Sequence, residues 1–283
     1  MNELFSIFTA PHMSFMRHAI AAGLLSSIAF GIVGTYVVVR RISYMAGAIS
    51  HSVLGGIGMA LYCQTIYNWR YCDPFLGALL AAIVAAVIIG AVNLSGTQRE
   101  DSVIGAIWAI GMAAGIIFIA VTPGYTDAMS YLFGNILLLG KFDLWMIGIL
   151  DVFVVVMVLM FYEKLLAICF DEEFARARGI HTGRYFLLLL LMTSLTVVLL
   201  IRVVGIVMVI ALLTLPSAIA GMFSRRLISM MILSVFFCAI FTVLGLAVSY
   251  MLNLPSGPVI ILAAGTFYIL IVAANSLIRR TGG

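Results

Sequence analysis

The chain has 283 residues, of which 64% are hydrophobic and only 9% charged, and its formal net charge is +4. With a mean hydropathy of +1.23 it carries far more apolar surface than a soluble domain could bury, which excludes a soluble globular protein and points to a polytopic α-helical membrane protein. The bases flank apolar runs and form no patch, which excludes a nucleic-acid reading.

A membrane β-barrel would show short alternating segments, whereas these apolar runs are solid. The opening MNELFSIFTAPHMSFMRH lacks the basic start and small-residue cleavage site of a secretory signal, so the first span is expected to be permanent. Apolar runs follow near 17–39, 47–64, 74–94, 103–121, 143–162, 185–201, 203–222, 228–251 and 258–278. Most are close to the ~20 residues needed to cross a bilayer, so the chain reads as about nine spans. The weakest division lies between 185–201 and 203–222, where Arg202 alone intervenes. A count of eight would make one segment re-entrant or interfacial.

Orientation follows from the bases. With the 163–184 loop inside, Arg40, Arg41, Arg99, Lys164, Arg176, Arg178, Arg184, Arg225, Arg226, Arg279 and Arg280 fall inside, eleven in all. Arg17, Arg70, Lys141 and Arg202, four in all, fall outside. The positive-inside bias therefore predicts an outer N-terminus and an inner C-terminus.

Two segments are not simple spans. PGYTDAMSYLFGNILLLGK, from Pro123 to Lys141, has an apolar centre too short to cross and contains Gly134 and Asn135. It predicts a re-entrant half-helix packed near the outer surface, where protein covers irregular backbone. In VVGIVMVIALLTLPSAIA, Pro216 interrupts an apolar run, either breaking the span beside a pathway or merely kinking it. Thr214 and Ser217 are placed to repair the freed carbonyls.

Polar chemistry is concentrated in Glu163–Arg184. Its 22 residues hold four acids, four bases and one of the four histidines. The centre, DEEFARARGI, predicts a short amphipathic helix at the inner membrane surface. Asp171 and Glu172 stand at its start, Arg176 and Arg178 near its end, and Gly179 stops it. Such a helix either docks a soluble partner or is a solvated loop.

Within the spans, RRISYMAGAISHSVLGGIG carries His51 on a face shared with Gly47, Gly55 and Met59, with Gly58 alongside. Small residues on that face admit a second helix, so His51 is predicted to point into the bundle. An intramembrane imidazole is a candidate ligand for a first-row divalent metal, or else a core histidine bonded to backbone, Ser50 or Ser52. Asp151, near mid-span, either lines a cation path or is protonated and hydrogen-bonded. The cysteines, Cys63, Cys72, Cys169 and Cys238, lack zinc-site spacing. A Cys63–Cys72 disulfide across one outer loop is conceivable, with inert packing as the alternative.

Several absences matter. There is no GxxxxGK[ST] loop for ATP and no HExxH, and successive residues Ser50, His51 and Ser52 point in different directions on a helix and form no catalytic dyad. No catalytic residue and no permanently bound cofactor is expected.

RRISYMAGAISHSVLGG, YLFGNILL, FDEEFARARGI, ALLTLPSAIA and LPSGPVIIL occur in the order seen in permease subunits of zinc- and manganese-type ABC importers, which the chain resembles from about Arg17 to Leu277. The resemblance implies a type II ABC importer permease fold, with eight to nine transmembrane helices, a re-entrant half-helix and a cytoplasmic coupling helix in one domain spanning 1–283. It further implies a path formed with a second permease copy, cytoplasmic ATPase subunits that hold the ATP, and an extracytoplasmic metal-binding protein. The location implied is the bacterial cytoplasmic membrane. Asp171, Glu172, Glu173, Phe174, Ala175, Arg176 and Gly179 resemble the family's coupling helix. His51 matches the histidine thought to line its metal path, with Gly47, Ser50, Gly55 and Met59 as path or gate residues. Where many members carry an aspartate four residues before that histidine, this chain has Gly47, a loss of hard oxygen ligands that tilts the cargo toward zinc over manganese. Alternatives are a permease for a metal chelate or other large ligand, an intramembrane enzyme using His51, and a secondary transporter.

Overall fold

The structure is a computed structural model and describes residues 14–69, 71–96, 99–124, 132, 134, 136 and 139–281. Among these are ten helices and no strand. They are α1 (Ser14–Val39), α2 (Ser43–Ile66), α3 (Pro74–Ser95), α4 (Glu100–Val121), α5 (Lys141–Phe170), α6 (Glu172–Ala177), α7 (Thr182–Val204), α8 (Ile206–Phe223), α9 (Leu227–Leu252) and α10 (Ser256–Thr281). All but the short α6 are long and apolar enough to cross a membrane, so the described residues supply nine candidate spans. The half-helix expected between Pro123 and Lys141 falls almost entirely outside the described residues.

The division between α7 and α8 is made by Gly205. Its φ of 84° and ψ of 163° lie in a region open essentially to glycine alone, so the chain ends one helix and begins the next within a single residue. The same spot is closely packed: a Cβ on Gly134, itself at φ 60°, would stand 2.5 Å from the Val204 carbonyl carbon. Two spans, rather than one bent one, follow from this glycine.

Pro216 does not break its span, since α8 runs unbroken across it. Thr214 Oγ1 donates to the Ile210 carbonyl at 2.8 Å, an ordinary bond back to the preceding turn and not to the Leu212 carbonyl, the one that Pro216 deprives of its amide donor. Ser217 departs from expectation as well. Its hydroxyl pairs instead with that of Ser234 on α9, at 2.6 Å, in a fully buried contact. One cross-helix bond serves two buried hydroxyls, whereas turning Ser217 back on its own helix would strand Ser234.

α1 forms one centre of the bundle, packed against α9, α5 and α8, while α2 forms the other, between α4 and α3. α3 leans on α7, and α10 closes the far side against α8 and α9. Two thirds of the most apolar window of both α1 and α2 is buried, against 17% for α4 and α10. The outer helices therefore present apolar faces that only lipid or another protein subunit can cover.

Candidate functional site

The face of α2 that carries His51 packs on α4 at unusually short range, and glycine is the reason. A Cβ on Gly55 would lie 2.8 Å from the Gly111 carbonyl oxygen, and one on Gly58 would lie 2.7 Å from that of Gly115. The two backbones nearly touch over this stretch, as small residues permit. Above it the gap is filled by aromatic rings. The His51 imidazole lies flat on Trp108, with centroids 4.4 Å apart and planes inclined by 18°, and Tyr44 flanks the indole at 5.7 Å.

Gly47 takes its meaning from this arrangement. A Cβ there would stand 2.8 Å from Trp108 Cζ3, so the indole occupies the space that a side chain at position 47 would need. Trp108 was not singled out in the sequence. Its signal lay in the spacing Gly105, Trp108, Gly111, Gly115, a small-residue face interrupted by one large ring.

Neither serine beside His51 engages it. Ser52 donates to the Ile49 carbonyl at 2.7 Å, and Ser50 is fully buried. The Ser50 hydroxyl and His51 Nδ1 are both buried without a hydrogen-bond partner among the described residues. An unpartnered buried imidazole nitrogen is costly, and it is what a ligand-binding histidine leaves available. Gly55 and Met59 line an apolar groove of about 830 Å³ between α2, α3 and α4, whereas Gly47 and Ser50 face the packed interior.

Asp151 stands apart from this face. It is 5% exposed, and its Oδ1 accepts from the Ala29 amide of α1 at 3.1 Å, while Oδ2 has no partner among the described residues. It belongs to the α1–α5 seam. The described residues hold no group of three His, Cys, Asp or Glu side chains able to cage a metal, so no such cluster includes His51. Other polar groups of the spans have structural work. Asn93 Nδ2 donates to Glu100 at 3.0 Å, and Asn253 ends α9 in the left-handed conformation with φ 52°.

The charged loop folds as its sequence predicts. Asp171 caps α6, accepting from the Phe174 amide at 2.8 Å. At the other end the Ile180 amide donates to the Ala175 carbonyl and the Gly179 amide to that of Arg176, with Gly179 at φ 79°, a complete Schellman motif. Ala175 anchors the helix, being fully buried, while Phe174 is 55% exposed with the Arg178 guanidinium 5.0 Å from its ring centroid. Glu172 is not free to face a partner. It bridges Arg176 at 3.1 Å and, across 132 residues of sequence, Arg40 at the inner end of α1. No local signal in the sequence joins these two.

The model of the ABC 3 transport family matches residues 12–275. The chain belongs to that family. It is thus the multi-pass membrane component of a bacterial ABC transport system, a transport subunit and not an enzyme. The chain is 40% identical over 251 residues to a protein of Chlamydia trachomatis called a probable metal transport system membrane protein, covering 88% of this chain and 85% of that one. It is 34% identical to the manganese transport system membrane protein MntC of Listeria monocytogenes, covering 89% and 87%. Among solved structures, PsaBC from Streptococcus pneumoniae in complex with Fab superposes with a TM-score of 0.82 at 31% identity, covering 95% of this chain and 94% of that one. The permease fold expected from the five motifs is the one found.

Proposed function

We propose that this permease carries divalent transition metal ions inward, pairing with a second permease subunit to enclose the path and moving in response to ATP bound by separate cytoplasmic ATPases. The observation that carries the reading is His51, stacked on Trp108, with a buried nitrogen that no neighbour among the described residues satisfies. An importer must strip a cation of water only briefly and then release it, so few and weak ligands suit the task. One imidazole from each of two subunits meets that requirement. The names of the relatives, metal and manganese transport proteins, agree with this cargo class.

Zinc is the metal favoured by the chemistry of the site. Trp108 fills the space at Gly47, which leaves nitrogen without a hard oxygen donor beside it, and imidazole prefers zinc to manganese. Manganese is the second reading, favoured by the name of the Listeria relative. The Asp171–Gly179 helix is the element that would seat in the ATPase, with exposed Phe174 as its leading contact. An extracytoplasmic binding protein would deliver the ion.

The test is elemental mass spectrometry of cells lacking their own importers and expressing this permease with its neighbouring ATPase and binding protein. One divalent metal is expected to accumulate, and His51→Ala is expected to lower its uptake at least tenfold with the protein still folded and inserted. Normal uptake by His51→Ala would remove the imidazole from the path. No metal rising, with the complex assembled, would assign a different cargo.

A further inference from the structure

The outer end of α2 carries a second pair of reactive groups, unrelated to His51. α2 and α3 run antiparallel with their backbones in contact. A Cβ on Gly56 would meet the Ala81 Cβ at 2.7 Å, and one on Gly77 would meet the Ala60 Cβ at the same distance. Carrying that register about one turn outward brings Cys63, in the last turn of α2, beside Cys72, just ahead of the first residue of α3. The turn between them is already fastened, with the Tyr67 amide donating to the Cys63 carbonyl and the Cys72 amide to that of Trp69. The two thiols are free and half-buried, and both line the same apolar groove. Partial desolvation first, then the neighbouring Cys63 thiol, holds the Cys72 thiol above the usual cysteine range.

We propose that Cys63 and Cys72 form a reversible disulfide that clasps the outer ends of α2 and α3. The base distribution puts this turn on the extracytoplasmic side, where disulfides form and persist. In the reaction the two thiols give up two protons and two electrons and gain one S–S bond. The acceptor is a protein disulfide, whose own S–S bond breaks and which leaves as a dithiol after exchange through a mixed disulfide. The clasp pins the span that bears His51 to its neighbour at the outer mouth. It also fixes the turn that presents Tyr67, Trp69 and Tyr71, which are 58%, 60% and 93% exposed. Amphipathic rings of this kind sit at a membrane interface, so the pair governs how that turn rides on the surface.

The experiment is a count of free thiols on the full chain in membranes. Cells are quenched in acid, and the protein is denatured in detergent with excess maleimide-polyethylene glycol, with and without prior reduction. The four cysteines give the expected pattern: two labels, on Cys169 and Cys238, before reduction and four after it. Cys72→Ser is expected to release Cys63, giving three labels without reductant. Four labels on the unreduced wild type would overturn the proposal. So would a Cys72→Ser chain that still hides Cys63, since the bond would then join some other pair. Because the count needs no transported ion, it is independent of the reading of His51.

Discussion

Gly47→Ala is the sharpest test of the packing around His51. The added Cβ would lie 2.8 Å from Trp108 Cζ3 and 3.2 Å from Cη2, well inside the ~3.5–4.0 Å at which carbon atoms rest. The indole cannot retreat freely, because His51 stacks on it at 4.4 Å and Tyr44 flanks it at 5.7 Å. Overpacking of this kind costs about 1–3 kcal/mol. Against it stands the ordinary gain from Gly→Ala inside a helix, about 0.5–1 kcal/mol. The net effect is a loss of about 0–2.5 kcal/mol in wild type, by difference of those two terms. Trp108→Leu removes the obstacle, so in that background Gly47→Ala is expected to be neutral or stabilising. The assay is a double-mutant cycle on unfolding midpoints in detergent micelles, with a coupling of about 1–3 kcal/mol. A Gly47→Ala penalty of equal size in both backgrounds would refute the claim that the indole fills the space at position 47.

Other outcomes follow from the same geometry. Glu172→Gln breaks the bridge to Arg40, but the two side chains are 31% and 22% exposed, so stability should fall by no more than about 1 kcal/mol. Transport-stimulated ATPase activity of the assembled complex is expected to fall much further, because the bridge ties α6, the helix proposed to seat in the ATPase, to α1; unchanged stimulation would make it decorative. Gly205→Ala forces a Cβ into a glycine-only conformation and should cost about 1–3 kcal/mol, read as a lower thermal midpoint. A midpoint equal to wild type would mean the α7–α8 turn is not built as described. Ser217→Ala leaves the buried Ser234 hydroxyl alone, at about 1–3 kcal/mol, and Ser217→Ala with Ser234→Ala should recover most of that. A double variant worse than the single would show that the two hydroxyls do not depend on each other.

Much of this molecule is written in its local sequence. Spans are legible because lipid leaves a backbone no option but to bond within its own helix, so an apolar run of sufficient length declares its conformation. The α6 helix was legible for a different reason. An acidic cap, a basic end and a left-handed glycine are all set within ten or so residues of chain, and each acts on the residue next to it. The face of α2 could be drawn from helical period alone, and the close approach of α4 at Gly55 and Gly58 followed it.

What the sequence left open depended on partners far away in the chain. Ser217 had a plausible carbonyl in its own helix and took the hydroxyl of Ser234 instead, because only the bundle sets those two helices side by side. Glu172 read as an acid at the start of a surface helix, matched to that helix's own dipole, yet it also finds Arg40 at the inner end of α1. Asp151 read as a path or a bonded carboxyl, and the proximity of the Ala29 amide decided for the seam. Trp108 is the plainest case: a missing carboxylate at Gly47 says what is absent, and only the crossing of α2 and α4 says what fills the space. Helix formation is a matter of neighbours along the chain, whereas the environment of a buried polar group is a matter of neighbours in space, and that is decided when the helices pack.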